Sequence, residues 1–431
     1  MISNNIDVNE KGHLTFQGVD TVDLAQEFGT PLYLIDEDRI EDRCKEYISA
    51  ISEFLGEGSF PCYAGKALCY TDLYRTLERL GMWIDVVSTG EIYTAKKAGF
   101  DLSRAMFHGN NKTDDDIKYA ISENVGRFVC DSEDEICAID EIAKSINKKV
   151  KILIRLTPGI DPHTHKAINT GTVESKFGVA IDTGDAEKLI KETLKKENLI
   201  LMGYHCHIGS QIFEFEPFCE AADKMLTFSK KIKDAYSFEA KEINLGGGMA
   251  VPYLESDKKI SYRDNIRELG KFIDTLLKKL SLSRPIFYME PGRSIVADSG
   301  MTLYTVGSVK EINGYKNYVS VDGGMADNPR YALYESPYTV INASFADKDK
   351  DYLATIGGRC CESGDLIQEN VSLAKPKRRD ILAVCTTGAY NYSMASNYNR
   401  LPKPALVTLK GGKARISVKR ETLEDITKCD V

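Results

Sequence analysis

The sequence contains no Cys-x-x-Cys pair and no zinc-type cysteine spacing, although it carries eleven cysteines, an odd count that leaves at least one unpaired. No apolar run approaches the length of a membrane span, and no secretory apolar core opens the chain. Together these absences point to a reduced, cytoplasmic setting with no membrane partner. An excess of positive charge is missing too. Lysine plus arginine number 56 against 64 aspartates and glutamates, a formal charge of −8, which argues against a nucleic-acid partner. No solenoid repeat or low-complexity linker is visible. The lack of an early Gly-x-Gly-x-x-Gly weakens a dinucleotide-binding open sheet.

What is present is a globular composition, 42% hydrophobic and 28% charged, over 431 residues. That length exceeds one ordinary core and suggests a large α/β domain plus a smaller one. Strand-like apolar runs start near 59, 82, 104, 126, 151, 201, 241 and 285, in "SFPCYAG", "MWIDVVS", "RAMFHG", "GRFVCD", "KILIRLTP", "LMGYHCHIG", "KEINLGGG" and "PIFYMEPG". Amphipathic stretches separate them. "TDLYRTLERLG" places Leu73, Leu77 and Leu80 on one helical face, and "NKTDDDIKYAISE" puts acidic residues early in its helix. Eight strands alternating with helices predict a (β/α)8 barrel over about 35–285. From about 295 the runs become short, β-rich and punctuated by glycine or proline. Residues 286–431, with 1–34 and its "GHLTFQG", therefore read as a mostly antiparallel β domain.

Polar residues gather at the carboxyl ends of the proposed strands, where barrel enzymes place their chemistry. Lys66, in "PCYAGKALCY", ends the first. Its stem could carry the ammonium out to water, or a sequestered amine could attack a carbonyl and form a Schiff base. Gly246, Gly247 and Gly248 follow the seventh, suited to a tight turn or to a backbone cradle for phosphate. Glu290 and Arg293 follow the eighth. They could form an ion pair, or supply a carboxylate for a pyridine nitrogen and a planar grip for an anion. His207 could be structural or could stack on a flat cofactor. With His205 it could begin a metal site, but no carboxylate or cysteine triad completes one, so no metal is expected. Amine, phosphate cradle and ring-facing carboxylate together describe pyridoxal phosphate.

Nearly end to end, the chain closely resembles the diaminopimelate decarboxylases, within the alanine-racemase-like (fold type III) class of pyridoxal-phosphate enzymes. The motifs are "FGTPLYLIDEDRI", "YAGKA", "GIDPHTHKAINTGTVESKFGV", "CHIGSQ", "NLGGG", "EPGRSIVADSG", "DNPRYALY", "CESGD" and "TGAYNYSMASNYN". The resemblance implies that Lys66 carries pyridoxal 5'-phosphate as a Schiff base and that His207 stacks on its ring. Ser210 and Gly246 to Gly248 would hold the phosphate. Glu290 would face the pyridine nitrogen, with Pro291, Gly292, Arg293 and Tyr390 completing the cofactor site. Arg293, Arg330, Tyr334, Glu362 and Tyr390 would bind substrate. Cys361 would donate a proton and, with Glu362, would come from the partner subunit of a homodimer whose active site is shared. The implied reaction converts meso-2,6-diaminopimelate to L-lysine and CO2, the last step of lysine biosynthesis.

Two departures from the family pattern stand out: Ala67-Leu68 in place of Ala-Asn after the lysine, and Cys360 beside Cys361. Neither removes a catalytic group. The alternatives are a decarboxylase of the same fold acting on ornithine, arginine or carboxynorspermidine, a racemase, and a noncatalytic pyridoxal-phosphate carrier. The loop "HTHKAINTG", 163–171, is a candidate cover for the pocket.

Overall fold

The computed structural model describes residues 2–160 and 175–431, so the 163–171 loop lies outside the described residues. Two compact units divide the chain. One comprises Arg43–Ala250 with Ile260–Gly292, and the other Met1–Asp42, Val251–Lys259 and Arg293–Val431.

The first unit is a closed parallel barrel. Its strands are β1 (Phe60–Ala64), β2 (Trp83–Val86), β3 (Ala105–Phe107), β4 (Arg127–Cys130), β5 (Val150–Thr157), β6 (Leu199–His205), β7 (Glu242–Asn244) and β8 (Ile286–Met289). Each pairs with the next, and β8 returns to β1 with Tyr288 opposite Phe60. Every strand begins within two residues of its expected start. Helices fill the connections for local reasons. In Asp114–Ser122, Thr113 and Asp116 form a capping box and three aspartates occupy the first turn, complementing its unpaired N–H groups. Tyr262–Leu280 is capped by Ser261 and buries Ile266, Leu269, Ile273 and Leu277 at three- and four-residue spacing.

The barrel interior is filled in layers. At the amino ends of the strands, Arg127 on β4 reaches across to Glu242 on β7 through two parallel bonds, Nε–Oε2 at 2.9 Å and Nη2–Oε1 at 2.7 Å. Its guanidinium lies 5.6 Å from the Trp83 ring, which packs on Phe60 and Tyr288. Above this plug lies an apolar layer of Cys62, Met106, Val129, Leu153 and Tyr288. The interior is therefore closed from below, and polar groups accumulate at the carboxyl ends.

The second unit is built on a mixed, mostly antiparallel sheet. Its strand order is Leu366–Leu373, Tyr352–Gly357, Lys316–Val321, Gly300–Ile312, Leu32–Asp36, Ala405–Lys410 and Lys413–Val418. Leu32–Asp36 runs antiparallel to Gly300–Leu303 and parallel to Ala405–Leu409. A core of Leu14, Phe16, Leu32, Leu34, Leu303, Ala383, Val407 and their neighbours joins the N-terminal segment to this sheet. The expected architecture, a barrel followed by a mostly antiparallel β domain, is the one observed. The strands Tyr352–Gly357 and Leu366–Leu373 were not anticipated from the sequence. Among the described residues no helix is long and apolar enough to cross a membrane.

Candidate active site

At the carboxyl ends of the barrel strands the chain turns sharply and its polar residues converge. β1 ends at Ala64 and a single 3-10 turn, Gly65–Ala67, follows. Gly65, Ala67 and Leu68 are buried, whereas Lys66 is exposed. Of the two readings of Lys66, the structure shows the one in which the turn is buried and the side chain reaches out of it. Burial raises both Asp85 and Glu91, and the Lys66 charge nearby offsets part of that rise. Burial raises the Glu91 carboxyl to about 7, against a hydrogen bond from the Val87 amide.

Glu290, directly after β8, sits at the centre of a buried network. Asn244 Nδ2 donates to its Oε1 at 2.7 Å, His108 Nε2 lies 3.0 Å from the same oxygen, and His205 Nε2 lies 3.1 Å from Oε2. His108 also faces Asp85 at 3.8 Å and meets the His205 ring edge-on at 4.8 Å between centroids. Burial alone would raise the Glu290 carboxyl, but the two histidines hold it well below the usual carboxylate range. Burial pushes His205 down to about 4. For His108 the two carboxylates outweigh burial and raise it. No carboxylate near His205 in the sequence completes a triad; the fold brings Glu290 and His108 to it. Asp85, His108, Arg155 and Asn244 escaped notice as single polar residues in apolar runs. Their signal was available: each lies at or near the carboxyl end of its strand.

The glycine run after β7 is sterically obligatory. Gly246 has φ +70° and Gly248 φ +121°, and a Cβ on Gly247 would collide with the Glu290 carbonyl oxygen. The Gly246 amide donates to Asn244 Oδ1 at 2.9 Å and the Gly247 amide to His207 Nδ1 at 3.2 Å. Two of the three amides are therefore turned inward, and Gly248's alone has no acceptor among the described residues. Burial and the charges of Lys66 and Arg155 hold His207 well below its usual value, so its imidazole is neutral. Gly292 lets the β8 loop pack on Ala64 and Ala67, and the Pro291 carbonyl accepts from the Ala64 amide. Ser210 is half-buried beyond His207.

In the second unit, Arg293, Arg330 and Tyr390 come together around Tyr253, a residue not singled out from the sequence. Arg293 Nη1 donates to Tyr253 Oη at 2.7 Å, and its guanidinium lies 4.8 Å from the Tyr390 ring. The Arg330 guanidinium lies 4.6 Å from the Tyr253 ring and donates to Tyr338 Oη at 3.1 Å. Both arginines are buried. Tyr390 has φ +61°, a conformation uncommon away from glycine. Tyr334 closes the short helix that Arg330 opens and is half-buried. Cys361 and Glu362 lie outside this cluster, exposed on the turn before Leu366–Leu373. Asp365 ties that turn down by accepting from the amides of Cys360 and Met325, each at 2.6 Å.

Residues 37–297 match the family model for the pyridoxal-binding domain of pyridoxal-dependent decarboxylases. The chain belongs to that family. As one of these decarboxylases it is 42% identical to the diaminopimelate decarboxylase of Bacillus subtilis, over 98% of this chain and 96% of that protein. The Staphylococcus aureus diaminopimelate decarboxylase is likewise 42% identical, over 97% of each chain. In structure it resembles the diaminopimelate decarboxylase of M. jannaschii solved with L-lysine, with a TM-score of 0.91, 34% identity, and coverage of 99% and 98% of the two chains. The resemblance drawn from the motifs holds, and the decarboxylase is a pyridoxal-phosphate-dependent carboxy-lyase. The residues present fit that cofactor. A glycine turn that no Cβ could enter, an exposed lysine on a buried turn and an ionised carboxylate beside a neutral imidazole are the parts it requires.

Proposed function

We propose that this decarboxylase acts on meso-2,6-diaminopimelate and releases CO2 and L-lysine, the closing step of lysine biosynthesis. One observation carries the choice of substrate: two buried arginines lean on Tyr253, and Arg330 has only tyrosines as polar side-chain partners among the described residues. A buried guanidinium in that setting calls for an anion. The carboxylate at the uncleaved end of diaminopimelate supplies one, which ornithine, arginine and lysine lack. Leaving such a group unpaired costs roughly 2–5 kcal/mol, enough to set specificity.

Pyridoxal phosphate, when bound, supplies an aldehyde that joins covalently to an amine and a ring that takes up the electron pair left as CO2 departs. In this reading Lys66 Nζ is the point of attachment and afterwards carries protons. Glu290, ionised and held by its histidines, would hold the cofactor through its ring nitrogen and keep that nitrogen protonated. The neutral His207 imidazole offers its flat face. Ser210, Gly248 and the β8 loop receive the phosphate. Arg293 and Arg330 bind the distal carboxylate, Glu362 binds the distal ammonium, and Cys361 Sγ returns a proton to the carbon that lost CO2.

The exposure of Cys361 and Glu362 supports a homodimer in which both serve the partner's site: a proton donor in open solvent gains shielding only when another surface covers it. Eleven unpaired cysteines agree with a reduced, cytoplasmic setting.

The test incubates purified protein with pyridoxal phosphate and meso-diaminopimelate, ornithine, arginine or lysine, measuring CO2 and amine products. Release from diaminopimelate alone is expected; equal turnover of ornithine would sink the assignment. Mixing Lys66→Ala with Cys361→Ala, each inactive alone, should restore part of the activity if sites are shared between subunits. No restoration would remove that feature.

A further inference from the structure

The oxygens of Glu290 are engaged from three strands. An ionised carboxylate has about four lone-pair sites. On Oε1, Asn244 from β7 donates a hydrogen bond and His108 from the end of β3 forms an ion pair. On Oε2, His205 from β6 takes one site. The second site on Oε2 is left over. We propose that His108 and His205 are positioning residues that clamp the Glu290 carboxylate from opposite oxygens, one by charge and one by a hydrogen bond, and so keep Oε2 available to a ligand's protonated ring nitrogen. This deepens the reading of Glu290 given under Proposed function and rests on it.

The geometry favours a clamp over incidental packing. Both histidines are buried, with side-chain exposures of 7% and 1%, and their rings meet edge to face. His205 Nε2 hydrogen-bonds Oε2 at 3.1 Å, and His108 Nε2 forms an ion pair with Oε1 at 3.0 Å. Asn244 is fixed in turn, because its Oδ1 accepts the Gly246 amide. The carboxylate is thereby coupled to the glycine turn, whose Gly246 carbonyl accepts the Glu290 amide at 2.7 Å. The charged and titratable groups facing this cluster are Asp85 from β2, Lys66 and Cys62 from β1 and its turn, Glu91, Arg155 from β5, and Cys206 and His207 after β6. Asp85 and Glu290 flank His108 and favour its imidazolium. His205, kept neutral by burial, must carry its proton on Nε2 to bond the carboxylate. The two imidazoles thus play different parts, one as counter-ion and one as neutral donor. All three acceptor or donor atoms lie within 4.8 Å of one another, so a bound divalent ion is the competing arrangement.

The experiment compares His108→Leu and His205→Leu with His108→Gln and His205→Gln, in which the glutamine amide reproduces the Nε2 donor. Apoproteins are titrated with pyridoxal phosphate, following affinity and the visible spectrum, and histidine tautomers are read by long-range 1H–15N NMR. The leucine variants should bind the cofactor about 10- to 100-fold more weakly, the loss expected for a charge-assisted bond, with a shifted absorbance. The glutamine variants should recover to within about threefold. In wild-type apoprotein His205 should be the Nε2–H tautomer, whether or not the cofactor binds. That NMR result tests the clamp even if a leucine variant fails to fold. Leucine variants with wild-type affinity and spectrum, an Nδ1–H tautomer at His205, or a stoichiometric divalent ion in the apoprotein would each overturn the proposal. Wild-type protein that takes up no pyridoxal phosphate, yet shows the Nε2–H tautomer, would instead remove the reading of Glu290 as a cofactor ligand and leave the clamp standing.

Discussion

Replacing Glu242 by leucine should weaken the barrel without touching its chemistry. Glu242 and Arg127 are paired through two hydrogen bonds, with side-chain exposures of 1% and 10%, at the first residues of β7 and β4. The catalytic candidates of this unit lie at the other ends of the strands. Removing Glu242 leaves the buried Arg127 charge uncompensated, with the Gly126 carbonyl still accepting from its Nη1, and costs about 3–5 kcal/mol. For a unit of this size each kcal/mol lowers Tm by about 2–4 °C, so a fall of about 6–20 °C is expected. Trp83, the only tryptophan, sits against the Arg127 guanidinium. Its fluorescence in the apoprotein therefore reports on this plug during urea or thermal unfolding. The double variant Arg127→Met/Glu242→Leu should recover most of the loss, because apolar replacement of both partners is often neutral or stabilising. Turnover by the folded single variant should stay within about twofold, since stability and catalysis occupy opposite faces of such barrels. An unshifted transition, a double variant no better than the single one, or a tenfold loss of kcat at full stability would refute the reasoning.

Three further outcomes are expected. Gly247→Ala should abolish cofactor uptake while leaving the β-rich unit folded, because its Cβ would displace the Glu290 backbone; normal visible absorbance of the loaded variant would contradict this. Arg330→Met should reduce kcat/KM for diaminopimelate by about thirtyfold or more, the equivalent of about 2 kcal/mol, with an unchanged cofactor spectrum. An unchanged kcat/KM would exclude Arg330 from substrate binding. Asp327 is buried, and burial raises it from 3.8 to about 7. The folded state therefore holds its proton more tightly than the unfolded chain, and stability falls as pH rises between those values, by about 1.4 kcal/mol per pH unit or about 4 kcal/mol in all. Above pH 7 the effect levels off. Asp327→Asn should flatten that part of the urea-denaturation profile, and parallel profiles for the two proteins would discount the raised carboxyl.

The barrel was legible because its strands are buried on both faces and read as continuous apolar runs, while the intervening helices repeat at three and four residues. Leu366–Leu373 and Tyr352–Gly357 were harder. In Leu366–Leu373 polar and apolar residues mix along a half-exposed strand, and "LIQENVSL" offers no run long enough to stand out. Lys66 shows a different limit. Its neighbours Gly65, Ala67 and Leu68 announce a buried backbone, but in a 3-10 turn the side chain of the middle residue can leave the surface that its neighbours pack against. The arginine cluster was partly legible, since Arg293, Arg330 and Tyr390 belong to motifs. Tyr253, which joins them, follows the glycine run in an unremarkable "AVPYLES" and gains its importance only from the segment in which it folds.

That segment, Val251–Lys259, leaves the barrel after β7 and is counted with the β-rich unit before the chain comes back for its last long helix. The polypeptide consequently passes from one module to the other four times, and no single cleavage or fusion point separates them. A gene fragment encoding the barrel alone would have to excise this excursion and reseal the ends. One encoding the β-rich module alone would lose Tyr253 unless the piece were grafted back. Exchange of specificity between homologues by swapping one half for another is therefore barred by connectivity, and new substrate preferences must arise by substitution within an undivided chain.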